Sequence, residues 1–236
     1  MKSSKKKGFK QYILVSLGEL VLIIAGILIA MNINNWNENR IALTKANLYI
    51  DKVKKDLTID TTYFHYAIER IDLKLDYKKS LFNQDSIAKF STSGLQAIVT
   101  SGTNNIYIND GAYKKIIESG IVTLPEKEFL FEKFNSYYVV FNNYLKELNK
   151  WEEKSAQKDQ DFWIYQNHYE LAYIDVTKSI LDSVENRKNF IKVMTSMEGK
   201  NYNNMAILRE QRMKEIYTRA RDRAKKLMKQ IDSIQN

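Results

Sequence analysis

Hydrophobic and polar positions follow three successive patterns along this chain. From Tyr12 to Met31 the run YILVSLGELVLIIAGILIAM holds one ionisable residue, Glu19. At about 1.5 Å per residue, a helix of that length spans roughly 30 Å, the hydrocarbon thickness of a bilayer. Further on, Leu43, Ala46, Ile50, Val53, Leu57, Asp60, Phe64, Ala67, Ile71, Leu75, Lys78 and Phe82 recur at steps of three and four. That period predicts a long helix over about 36–83 with a seam that needs a partner helix. Only Asp60 and Lys78 interrupt the apolar character of the seam. Asn32 to Asn39 carries five Asn but no Pro or Gly, so the apolar helix is expected to run straight into the second one.

The pattern then breaks. Ser91-Thr92-Ser93-Gly94 and Thr100 to Asn105 predict a loop over about 84–110, with one or two helical turns at Leu95–Val99. Asp110 is placed to cap a short helix over 111–119, and Gly120 to end it. Pro125, at a first helical position, opens a helix over about 125–158 whose stripe runs from Leu130 and Phe134 through Leu148 to Trp151. Further helices are expected over 162–197 and 205–233, with a turn at Gly199 to Asn204. Tyr137, Tyr138, Phe141, Phe162, Trp163 and Tyr165 read as core aromatics. The expected architecture is all-α: one N-terminal transmembrane helix, then a long-helix antiparallel bundle. One Pro and eight Gly in 236 residues favour long helices over turn-rich β architectures.

Charge settles the expected topology. The formal net charge of +9 resides at the two ends. Five Lys and no acid fall in residues 1–10, and nine Lys or Arg against three acids fall in 209–229. Between the anchor and residue 51 only Arg40 and Lys45 are basic, so the N-terminal side is expected to stay cytoplasmic. Residues 1–11 then form a cytoplasmic tail, 12–31 a membrane span bounded by Tyr12 and Trp36, and 32–236 a periplasmic domain of the inner membrane. A cleaved signal peptide would have a shorter apolar run and a small-x-small site, which Met31-Asn32-Ile33-Asn34 does not supply. Periplasmic placement argues against nucleic acid as the partner of the basic C-terminal helix. Its apolar stripe (Ile207, Leu208, Ile216, Ala220, Leu227, Ile231) marks a bundle helix, and its polar side suits lipid headgroups or an acidic partner.

Ser16, Glu19, Ile23, Gly26 and Ala30 share one face of the anchor. Gly26 and Ala30 form a small-xxx-small pair that lets helices approach closely. Glu19 has three readings: a protonated or snorkelling acid, a buried contact between associated helices, or an ion-translocating group.

Gly18-Glu19, Gly26-Ile27-Leu28-Ile29-Ala30 and Ile33-Asn34-Asn35-Trp36-Asn37-Glu38 resemble the N-terminal signature of a large uncharacterised family of single-pass membrane proteins from Bacteroidota-type bacteria. A weaker similarity covers Tyr113 to Tyr138, with Glu118-Ser119-Gly120 and a later Tyr-Tyr pair. The resemblance implies an inner-membrane protein with a periplasmic helical domain, and it implies no activity.

Chemical motifs are sparse. There is no Cys, and the two histidines, His65 and His168, lack metal-ligand spacing. No nucleophile elbow or glycine-rich phosphate loop is present, and most acids alternate with Lys as solvated helix faces. No cofactor, metal or small-molecule substrate is expected, and the chain does not read as an enzyme. The expected partners are the bilayer and a second copy or another membrane protein. A stator-like, energy-coupled subunit using Glu19 is the alternative.

Overall fold

A computed structural model describes residues 4–103, 105–124, 127–172 and 178–235. Helix makes up 84% of it and no strand is present among the described residues, so the chain is all-α. The first element, α1 (Ser4–Ser80), is a single helix of 77 residues, about 115 Å long. The apolar anchor and the seam helix are therefore one rod. The Asn-rich stretch between them stays helical because its side chains bond along the helix rather than to their own backbone. Asn34 Nδ2 donates to Glu38 Oε1 at 2.8 Å, Arg40 Nη2 donates to Asn37 Oδ1 at 3.2 Å, and the Arg40 guanidinium lies over Trp36.

The seam residues of α1 are buried from Ala46 to Lys78. Each fully buried Ile, Leu, Val or Phe contributes about 2 kcal/mol. Most of that burial is against α8 (Met197–Gln235), which forms the largest interface in the molecule. Lys54 meets Asp232, Thr58 meets Met228, Asp72 meets Lys214 and the Lys78 carbonyl meets Asn203. One number rises as the other falls, so α1 and α8 run in opposite directions. The core also takes in α4 (Gly111–Glu118) and a long helical stretch made of α5 (Glu128–Asn135), a π turn (Ser136–Phe141) and α6 (Asn142–Ile164). A second, smaller core packs Leu81, Leu95, Trp163, Tyr169, Phe190 and Met194 beyond the end of α1.

Several expected boundaries move. Residues 84–99 are not loop: α2 (Gln84–Lys89) and α3 (Thr92–Val99) form there, with Asn83 and Ser91 accepting from Asp85 N–H and Gly94 N–H at 3.0 and 3.1 Å. The helix expected to end near 158 continues to Ile164, because its polar residues Glu152 and Asp159 face a buried arginine. Pro125 lies outside the described residues. Trp151, placed on the buried stripe, is 41% exposed and stacks under Arg212. Leu208 is likewise exposed, and its neighbours Arg209 and Glu210 are buried in its stead. Tyr165 is exposed because the helix ends one residue before it.

The helix expected over 162–197 is interrupted. After Ile164 the described chain is irregular until α7 (Ser183–Met194). Side-chain amides stand in for a missing helical ladder there. Gln96 donates to Glu170 O at 2.8 Å and accepts from Ala172 N–H at 2.6 Å, while Asn186 brackets Glu170 N–H and C=O at 2.9 and 3.1 Å. Gly199 is not a turn residue either. It lies in the first turns of α8, where a Cβ would sit 2.3 Å from Val193 O and 2.8 Å from Met194 O. The turn is Thr195–Ser196, and the missing side chain lets α8 cross the end of α7 at backbone distance.

Gly199→Ala is therefore expected to destabilise the domain by about 1–3 kcal/mol, the usual cost of overpacking. Thermal unfolding followed by circular dichroism checks this; an unchanged midpoint would remove the close-approach argument.

Candidate functional site

The anchor face comes first. Ser16, Glu19, Ile23, Gly26 and Ala30 are all exposed, and a Cβ added at Gly26 would meet nothing within 4 Å. Among the described residues, no other part of the chain reaches that face. Trp36 is 68% exposed at the other boundary; the Tyr12 side chain lies outside the described residues. One helix among the described residues is long and apolar enough to cross a membrane, and none of its apolar stretch is buried by the protein.

The body contains two buried polar constellations, and each is built on one of the two polar interruptions of the α1 seam. Asp60, fully buried, accepts from Asn109 N–H and from Tyr137 Oη, both at 2.9 Å. One turn earlier, Asp56 accepts from Asn109 Nδ2 and from Ala112 N–H, both at 3.0 Å. The two carboxylates thus hold the N-terminal end of α4, where helix N–H groups lack partners within the helix. Asp110, expected to cap α4, makes no capping bond; it pairs with Lys114 at 2.8 Å, and Asp56 caps from the neighbouring helix instead. Burial pushes the Asp60 carboxyl up to about 6, against the lowering effect of its two donors. Burial first, then the Asp60 charge, pushes the Tyr137 phenol far up, so it remains a proton donor to Asp60. Tyr137 belongs to the π turn, a backbone irregularity that often marks functional positions. Its neighbour Tyr138 stacks on Tyr113 at 5.0 Å.

The second constellation lies between α1, α6 and α8. Arg209 Nε is 2.9 Å from Glu152 Oε2, and Arg209 Nη1 is 2.6 Å from Asp159 Oδ2. Lys74 and Lys78 approach Glu210 at 3.8 and 3.9 Å, and Lys74 Nζ also donates to Gly102 O at 2.5 Å. Three cations and three anions balance in a volume where Lys78, Arg209, Glu210 and Glu152 are all buried. Burial lowers both lysines and raises Glu152 and Asp159; the opposite charges act against those shifts. A nearby net joins the loop before α4 to the same helices: Ile106 N–H donates to Tyr217 Oη at 3.2 Å, and Asn149 Nδ2 donates to Ile106 O at 2.9 Å.

In both constellations the buried polar groups of one helix are paired with groups of its neighbours. No group of three His, Asp or Glu residues converges on a common point among the described residues. His65 is exposed and paired with Glu69 at 3.4 Å; His168 lines an open cleft with Lys192 and Glu198. A cationic cleft of about 440 Å³ combines Lys133, Arg223 and Lys226 with Tyr137, with no acid in its lining. Neither a family model, nor a curated protein, nor a solved structure matches this chain.

Two outcomes are expected. Because folding raises the Asp60 pKa from 3.8 to about 6, the native state binds the proton more tightly. Stability from this group is thus greatest below pH ~4 and is lost as pH rises to about 6, an effect of about 3 kcal/mol. Asp60→Asn should remove that slope, so denaturation at pH 4.5 and 7.5 should differ less in the variant than in the wild type; parallel pH profiles would contradict it. Arg209→Met leaves two buried carboxylates without their cation and should cost about 3–5 kcal/mol at neutral pH. The loss should shrink as pH falls and Glu152 and Asp159, both raised by burial, take up protons; a pH-independent loss would mean the pairs are incidental.

Proposed function

We propose that this chain is a non-enzymatic scaffold or interaction protein of the inner membrane, of the single-pass family that its N-terminal signature resembles. In this reading residues 12–31 span the bilayer with the N-terminus cytoplasmic, and residues 32–236 form an antiparallel helical bundle in the periplasm. The observation that carries it is the double use of α1: its apolar first part touches no protein, and its later part is the spine of the core. A soluble protein has no reason to extend such a helix into water, since exposed apolar patches of that size mark interaction with lipid or protein. The body supports presentation rather than catalysis, because its buried charges are paired with one another. The anchor face of Ser16, Glu19, Ile23, Gly26 and Ala30 then joins copies of the chain, with Glu19 shielded from lipid between helices.

The stator-like alternative keeps one supporting observation, an ionisable, exposed Glu19 for which no hydrogen bond or ion pair is found among the described residues. One experiment tests the topology common to both readings, and a second separates them. A periplasm-dependent enzyme fused after Asn236 should be active, and activity of a cytoplasm-dependent fusion alone would overturn the topology. Within the membrane, Gly26→Leu should weaken self-association more than Glu19→Gln, since a polar interhelical contact is worth only about 0.6–2 kcal/mol. An energy-coupled role gives the reverse: Glu19→Gln abolishes function with assembly intact.

A further inference from the structure

The side of α1 that faces away from α8 is not polar. Ile41, Leu48, Ile59, Tyr63, Tyr66 and Leu73 are each 40–58% exposed along it. At 3.6 residues per turn, positions 41, 48, 59, 66 and 73 fall within an arc of about 40°, on the opposite side of the helix from the buried seam. Nothing among the described residues covers this stripe. Its aromatic content matches protein interfaces better than a solvated helix face.

Because α1 is one uninterrupted helix, the same angular count extends into the anchor. Ser16, Glu19, Ile23, Gly26 and Ala30 fall on the same side as the stripe, within an arc of about 80° that covers both sets. The face that suits helix association in lipid and the unpartnered face of the body are one line along one rod.

Charge selects the occupant and its direction. Asp51 and Glu69 border the stripe on one side; Lys45, Lys52 and Arg70 border it on the other, and all are exposed. When two identical helices pack in parallel about a two-fold axis, the left border of each meets the right border of the other. Asp51 then lies level with Lys52 of the second copy, and Glu69 with Arg70. Antiparallel packing would set basic border against basic border. Two chains inserted the same way in one bilayer meet in parallel and in register, which is the arrangement the charges favour. Lys55, within the stripe, meets its own copy there and lowers stability while disfavouring other registers, as a lone polar seam residue does.

We propose that α1 is a continuous parallel self-association seam, from Ser16 in the membrane to Leu73 in the body, whose occupant is a second copy of this chain. The inference rests on the membrane reading above, which supplies the common orientation of the two copies.

The absence of Cys in the chain makes the test direct. Single cysteines replace Leu48, Leu73, Ile23 and, as an off-face control, Lys79 in the full-length protein, and oxidation is performed in native membranes. Same-position disulfide dimers are expected for Leu48→Cys, Leu73→Cys and Ile23→Cys, with at least a ten-fold lower yield for Lys79→Cys. In the Leu73→Cys chain, Glu69→Lys should cut the yield about five-fold by setting like charges together, and adding Arg70→Glu should restore it. Both side chains are exposed, so folding is not at stake. Dimers at Ile23→Cys without dimers at the body positions would overturn the continuous seam and leave the anchor interface standing. Equal yields at Leu73→Cys and Lys79→Cys, no dimers at any position, or a disulfide from Leu73→Cys to a different polypeptide alone would each overturn it too. The fusion at Asn236 scores the membrane reading separately.

Discussion

One helix in this molecule carries both an uncovered apolar stretch and the spine of the core, and the rest of the fold is arranged around it. Between Lys10 and Asn32, α1 is apolar around its whole circumference apart from Gln11, Ser16 and Glu19, a surface that suits lipid or another apolar surface. From Ala46 the same rod is apolar along a seam, and α8 returns along that seam to close it. Between the two lies a stretch too polar for a core and too regular for a linker, kept helical by local side-chain bonds such as Asn34 to Glu38. No hinge residue is placed where a hinge would be expected: neither Gly nor Pro occurs between Gly26 and Gly94.

The polar interior follows from the same spine. A seam of continuous aliphatic residues would let α8 and α6 slide by a turn with little loss. Asp60 and Lys78 prevent that, because each needs specific partners at a specific height: Asn109 and Tyr137 for one, Glu210 for the other. A buried charge with no partner costs several kcal/mol, so a register shift of one turn is penalised heavily even where apolar packing would tolerate it. The buried ions of this protein are best understood as alignment devices, with their net contribution to stability small.

The long elements were legible because their signal is periodic and summed over many residues. The apolar N-terminal helix, the α1 seam and the existence of α8 could all be read directly, and Asp60 and Lys78 stood out as the two non-apolar positions of that seam. The partners could not be read. Glu152, Asp159 and Arg209 look like ordinary surface charges locally, and only the meeting of helices about fifty residues apart in sequence buries them. Short elements failed for a different reason. At α2 and α3 the capping residues Asn83 and Ser91 were the usable signal, masked by the Ser, Thr and Gly content that resembles a loop. The break after Ile164 also had a local mark: Asp182, with Glu185 three residues on, is an N-cap pattern and accepts from Val184 N–H and Glu185 N–H. Gly199 misled because helix-breaking and close helix crossing use the same residue, and only the position of Val193 O tells them apart.

The unbroken backbone through the stalk has a mechanical consequence. From Ala30 to Ser80 the rod extends about 75 Å, and no joint within it absorbs rotation. In a bilayer, a tilt of about 20°, ordinary for a single span, would swing the far end of α1 sideways by roughly 25 Å. In the proposed membrane reading the body would be the long arm of a lever whose short arm lies in lipid. Bilayer thickness and the crossing angle of two such helices would then become positional information at the far core, where Trp163 and Phe190 sit.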